Sequence, residues 1–256
     1  MCNMGRTWRW KNSPAQPGKA YHPTTVEHLA NCISHVPCVP LGVAGMIRLY
    51  SKADTYSKSV AAIVYGLAIV SLFFASSVFH LFSLFYINGR LRSTLQLCDR
   101  IVICLFIAAS YTPWLLLRDF HASWGLTTLW SVWIAAIFGG AFQYVYLDRN
   151  ATLALPILAF TSASDPPCSS MMLPRFKSVE LMIYLAISIC PAYSFIYMHE
   201  QSGLPLLFTG AFVYLSGVIF FKLDGHIPLA HAIWHCCVFI ATFLQFNAVD
   251  TFLLTN

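Results

Sequence analysis

Ser59–Leu84 reads SVAAIVYGLAIVSLFFASSVFHLFSL, an apolar run without a charged side chain and with one histidine, His80, near its end. A helix needs about 17–25 predominantly apolar residues to cross a bilayer, and this stretch is long enough. Six further stretches read the same way: Glu27–Ile47, Asp99–Leu117, Trp124–Leu147, Ser178–Met198, Gly203–Lys222 and Pro228–Ala248. Over its 256 residues the chain is 58% hydrophobic and 10% charged. A soluble domain normally carries about 25% charged residues. The expected fold is therefore an all-α membrane protein, a seven-transmembrane helix bundle. Its parts are an N-terminal segment over residues 1–26, the bundle over 27–248 and a short tail over 249–256.

The net charge of +5 is no footprint for nucleic acid, because the Lys and Arg residues are spread through the gaps between apolar blocks. Their distribution sets the expected orientation, since cytosolic loops carry the excess of positive charge. The N-terminus and the second, fourth and sixth loops hold most of them, including Arg6, Arg9, Lys11, Arg90, Arg92, Arg175 and Lys222. The other side holds Arg48, Lys52, Lys58 and Arg118. The N-terminus is thus expected in the cytosol and the C-terminus in the lumen or outside the cell. Residues 148–174 read as a long fourth loop, because the apolar run from Ala151 to Phe160 is too short to span and Pro156 interrupts it. The sequon Asn150-Ala151-Thr152 would then face the cytosol and stay unmodified. Trp8, Trp10, Tyr21, Tyr86, Trp114, Trp124, Tyr144 and Tyr146 fit an aromatic belt at the membrane surface. The nine Cys lack paired CxxC spacing, which argues against a disulfide framework or a Cys-based zinc site.

Ionisable side chains inside spanning helices are costly and by default mark function. Here they are His80, Asp99 at the opening of the third span, and His231 and His235 in Ala230-His231-Ala232-Ile233-Trp234-His235. Residues i and i+4 share a helix face, so His231 and His235 can point at one ion, as Ser76 and His80 can share an inward face. On the expected topology all four ionisable residues lie at one depth, on the cytosolic side. Three imidazoles suit a zinc ion with a fourth position open. Asp99 would act as general base and Ser76 would hydrogen-bond it or the water. Glu27, Asn31 and His35 fall on one face of the first span. They either orient the site from behind or bond helix to helix. Asp224 would cap or brace the last span. His226 reads as a solvated loop residue, and His22, His28, His121 and His199, near span ends or in loops, receive no role.

These residues resemble the signature of the progestin and adipoQ receptor family, also called the haemolysin III family. The resemblance rests on Glu27-x3-Asn31-x3-His35, Ser76-x3-His80, Asp99-Arg100 and His231-x3-His235, and covers nearly the whole chain. It extends to the surrounding wording: Cys98-Asp-Arg, Ile107-Ala-Ala-Ser-Tyr, Phe220-Phe-Lys and Ala230-His-Ala-Ile-Trp-His. The resemblance implies a seven-helix bundle with a cytosolic N-terminus and zinc on His80, His231 and His235, with Asp99 and Ser76 beside it. It implies kinship with ceramidase-type amide hydrolases and with Golgi or endoplasmic-reticulum proteins that promote Ras–ERK signalling. Two functions follow as expectations. One is a zinc-dependent hydrolase of a ceramide-like lipid amide. The other is a receptor or scaffold with structural zinc, taking a lipid or steroid ligand and cytosolic signalling partners. A channel ranks last, because no charged stripe lines a pore. Relative to the family's short loop, residues 148–174 are an extension.

Overall fold

A computed structural model describes residues 9–14, 21–85, 90–148 and 174–255. The elements are α1 (Thr25–His35), α2 (Cys38–Ser51), α3 (Tyr56–Phe85), α4 (Arg90–Leu117), α5 (Trp124–Asp148), α6 (Pro174–Ile189), a 3-10 segment (Cys190–Tyr197), α7 (Leu204–Lys222) and α8 (Ala230–Phe252). They make seven helical stretches long and apolar enough to cross a membrane. The all-helical, seven-span architecture expected from the sequence is what the chain adopts. The long fourth loop and the Asn150 sequon fall largely outside the described residues.

Three spans depart in detail from their expected form. The first is two helices, broken at Val36 and Pro37. Pro37 has no N–H to continue α1, so the chain restarts with Pro37 as N-cap of α2. The third begins at Arg90, so Asp99 lies about two and a half turns inside α4 rather than at its opening. Arg92, Thr94 and Gln96 depress the hydropathy there, yet Arg, Leu and Gln are good helix formers and the helix runs on. The fifth tightens into the 3-10 segment with Pro191 in its first turn, where a proline costs least. Pro113 by contrast sits inside α4. On the residue before it, the Thr112 hydroxyl donates to the Ala108 carbonyl in the preceding turn at 3.1 Å.

Large apolar side chains such as Ile47, Phe74, Phe138 and Phe212 are exposed on the outside of the bundle, as a lipid-facing surface requires. Inside, one core joins α2, α3, α4, the 3-10 segment, α7 and α8 around Tyr65, Phe73 and Trp114. Trp114 is fully buried, edge-on to Phe195, so it belongs to this core and not to the interfacial belt. A second core joins α4, α5 and α6 around Cys104, Ala108, Val132 and Ile187. Close packing of α2 on α3 depends on Gly66, where a Cβ would sit inside the Met46 side chain. Small residues at such crossings let membrane helices approach.

Charge pairs on buried carboxylates pin the bundle. Arg48 and Lys52 of the first span both reach Asp250 near the end of α8, at 2.9 and 2.8 Å. Arg100 of α4 pairs with Glu180 of α6 at 3.3 Å. Tyr184 donates to a Glu180 oxygen at 3.1 Å, and Gln143 of α5 donates to Tyr184 at 3.2 Å. The site described next lies where the C-terminal part of α3 meets α1 and the beginning of α8.

Candidate metal centre in the helix bundle

His80 comes from α3, and His231 and His235 from successive turns of α8. One ring nitrogen from each can be chosen so that all three lie within 4.8 Å of one another. Ring centroids are 5.3 Å apart for His80 and His231, 4.9 Å for His80 and His235, and 4.6 Å for His231 and His235. His80 and His235 are buried and His231 half-buried. Neither nitrogen of His80 has a hydrogen-bond partner, nor does Nδ1 of His231. Leaving a buried polar atom unpaired costs about 1–3 kcal/mol, so unpartnered buried nitrogens on two neighbouring rings, His80 and His231, ask for a ligand. A metal ion satisfies them. It binds imidazole nitrogen at about 2.0–2.1 Å, which needs only a small inward movement of the rings.

The α1 residues close the site from the side. The His35 ring stacks on His235 with centroids 3.7 Å apart and planes 11° from parallel. Ser34 Oγ lies 2.9 Å from His235 Nδ1, which leaves Nε2 of that ring for an ion. His35 Nδ1 lies 2.8 Å from Ser76 Oγ, and the Ser76 hydroxyl also bonds the Asp99 carboxyl. A continuous polar chain therefore runs Asp99–Ser76–His35, with His35 lying against His235. The Asp224 carboxylate faces His231 Nδ1 at 4.0 Å, just beyond hydrogen-bonding distance. A carboxylate in that position biases the tautomer of a metal-binding imidazole.

The structure thus brings together His80, His231, His235, Ser76, Asp99, His35 and Asp224. Asn31 is buried one turn before His35, its side-chain carbonyl without a partner. Glu27 is occupied elsewhere. It forms a capping box with Thr24, accepting from the Thr24 N–H at 2.8 Å. It also accepts from the Tyr21 hydroxyl at 2.8 Å. Tyr21 packs flat against Gly225, where φ is +80° and a Cβ would meet the ring at 2.6 Å. Burial, with the Glu27 and Asp224 carboxylates nearby, pushes the Tyr21 phenol well above its ordinary range. Tyr21 is therefore a protonated donor that fastens the N-terminal segment beside the site, a more specific role than interfacial anchoring.

Two participants escape a reading of spacing. Ser34 carries no signal beyond standing next to His35. Glu180 lies inside the expected fifth span, so the rule that flagged Asp99 applies to it equally. It is buried and pairs with Arg100, the residue after Asp99.

A cavity of about 300 Å³ opens between α2, α3 and α8. Its wall is apolar apart from Arg48 and Thr242 and includes Leu41, Phe73, Phe239 and Phe243. Phe73 is also edge-on to His35 at 5.3 Å, so one ring borders both the cavity and the histidine cluster.

Comparison with known proteins finds relatives along most of the chain. Residues 24–246 match the family model described as "Haemolysin-III related". "Monocyte to macrophage differentiation factor" from Homo sapiens is 33% identical over 251 residues, spanning 97% of this chain and 93% of that protein. "Hemolysin-3" from Bacillus cereus is 30% identical over 231 residues, 89% of this chain and 92% of its own length. "Hemolysin-3 homolog" from Bacillus subtilis (strain 168) is 26% identical over 218 residues, 84% and 89% respectively. With a family match across the bundle and a full-length relative above 30% identity, the chain belongs to the haemolysin III (progestin and adipoQ receptor) family of multi-pass membrane proteins.

Proposed function

We propose that this protein is an intramembrane zinc-dependent hydrolase acting on a lipid amide of the ceramide type. The observation that carries the proposal is the convergence of three imidazoles, His80 with neither nitrogen hydrogen-bonded, beside the linked pair Asp99 and Ser76 inside an apolar bundle. Imidazole nitrogen suits zinc. Zinc bound there would polarise an amide carbonyl and acidify a water molecule.

The rest of the chemistry falls to the protein. Asp99 takes the proton of the attacking water and returns it to the leaving amine, the work of a general acid–base. Ser76 holds the Asp99 carboxyl in place, and His35 fixes the Ser76 hydroxyl from the other side. Ser34 and Asp224 set the orientations of His235 and His231. The apolar cavity bordered by Phe73 takes an acyl chain from the bilayer. The distribution of Lys and Arg supports a cytosolic N-terminus with this site on the same side, and the family resemblance supports a Golgi or endoplasmic-reticulum membrane.

A second reading is a receptor or scaffold in which the metal is structural. It is favoured by the likeness to a protein whose name describes a differentiation factor. Hydrolysis of ceramide by purified protein separates the two. The hydrolase reading expects activity that a chelator abolishes and added zinc restores. A protein that holds one zinc and cleaves no ceramide would be the scaffold.

A further inference from the structure

His121 and His199 lie 78 positions apart in separate loops, and their spacing carries no signal. The fold brings them together. Their ring centroids are 4.0 Å apart with planes tilted by 36°. We propose that this pair is a second metal site, taking a divalent ion of the zinc–copper end of the first transition row. It sits beyond the C-terminus of α4, about 30 Å along that helix from Asp99 at 1.5 Å per residue, so it is separate from the bundle centre.

The pair is preorganised by the backbone. Phe120 and Met198 form an antiparallel bridge. His121 N–H donates to the Tyr197 carbonyl at 2.9 Å, and His199 N–H donates to the Asp119 carbonyl at 3.0 Å. Arg118 fastens both loops. It pairs with Glu200, donates to Ser202 Oγ at 2.7 Å and reaches the Phe252 carbonyl at 2.9 Å. Behind the bridge Trp124 stacks on Tyr197 at 4.4 Å with planes 2° apart. The residue after His121, Ala122, has φ +50°, a conformation that costs a non-glycine residue about 1 kcal/mol or more and persists only where its surroundings enforce it.

The chemistry suits a cation. Two imidazole nitrogens on one ion, each at about 2.0–2.1 Å, stand about 3 Å apart. Rings with centroids at 4.0 Å reach that spacing by a small rotation. Both histidines are exposed, and neither ring makes a hydrogen bond among the described residues. Asp119 and Glu200, also exposed, flank the pair. Against the single charge of Arg118 they leave the local field negative. Water would complete the coordination. Imidazole ligation with open positions selects copper(II), nickel(II) or zinc over magnesium or calcium.

The test counts metal. Tag-free protein in detergent, with the exposed thiols of Cys98, Cys190 and Cys236 alkylated, is dialysed against Zn2+ and analysed for bound metal. Wild type is expected to take up two equivalents, and His121→Ala or His199→Ala one. In the His231→Ala plus His235→Ala background one equivalent should remain and disappear on adding His121→Ala. Should that background fail to fold, wild type against His121→Ala decides alone. An uptake unchanged by His121→Ala and His199→Ala, at one or at two equivalents, would overturn the proposal. Neither outcome bears on the bundle centre, whose ligands are untouched by these two substitutions.

Discussion

Asp99→Asn is expected to abolish lipid-amide hydrolysis while leaving the bundle metal in place. The substitution keeps size and shape. Its amide can still bond Ser76, so the chain Asp99–Ser76–His35 should hold its geometry. What it removes is a group able to accept a proton. General acid–base catalysis by a positioned side chain contributes about 10²–10⁴-fold, and kcat should fall by about that factor. None of the three imidazoles depends on Asp99 for its position, so metal content should stay at the wild-type value. Ser76→Ala should lower kcat in the same direction by less, because the carboxyl survives and only its anchor is lost. Metal analysis and ceramide turnover on the same preparation check both statements. Loss of metal together with activity in Asp99→Asn would make the carboxylate a metal ligand or a structural support instead.

Glu180→Ala should be the most destabilising single change to the polar network. Glu180 is buried, accepts from Tyr184 and pairs with Arg100, whose side chain is only 15% exposed. Removing one partner of a buried pair leaves the other charge without its counter-ion and typically costs 3–5 kcal/mol. Arg100 keeps some exposure and the neighbouring Asp99 carboxyl, so about 3 kcal/mol is expected. Glu180→Gln retains a hydrogen-bond acceptor for Tyr184 and should cost clearly less. Equilibrium unfolding in mixed micelles measures the difference. Equal losses in the two variants would show that the charge, and not the hydrogen bonds, holds α4 to α6.

Much of the site is legible because a bilayer makes rules strict. An imidazole or carboxylate in an apolar run stands out, so His80, Asp99, His231 and His235 are visible without a structure. The i, i+4 spacing then puts His231 and His235 on one face, and the structure brings their rings within reach of His80. The seven spans are legible for the same reason. Less visible is where a helix starts when its first turns are polar. Residues between Arg90 and Asp99 look like loop to a hydropathy window, yet nothing in them breaks a helix. Trp114 shows a second limit. An aromatic near a span end reads as interfacial, but the turn of α4 aims it inward at Phe195. The capping-box and Tyr21 bonds of Glu27 depend on how the N-terminal segment folds back over Gly225, which no spacing encodes. Ser34 and the pair His121 and His199 are invisible for one shared reason. Their partners come from distant elements, and only the packed bundle says which loop meets which.

The account rests on the three bundle histidines holding one metal ion. The most direct measurement is the zinc content of tag-free protein dialysed against zinc and then free buffer, wild type beside His231→Ala plus His235→Ala, both carrying His121→Ala to silence the outer pair. One equivalent retained by the first and none by the second is the predicted result. Zinc held equally by both, or by neither while both remain folded, would contradict it.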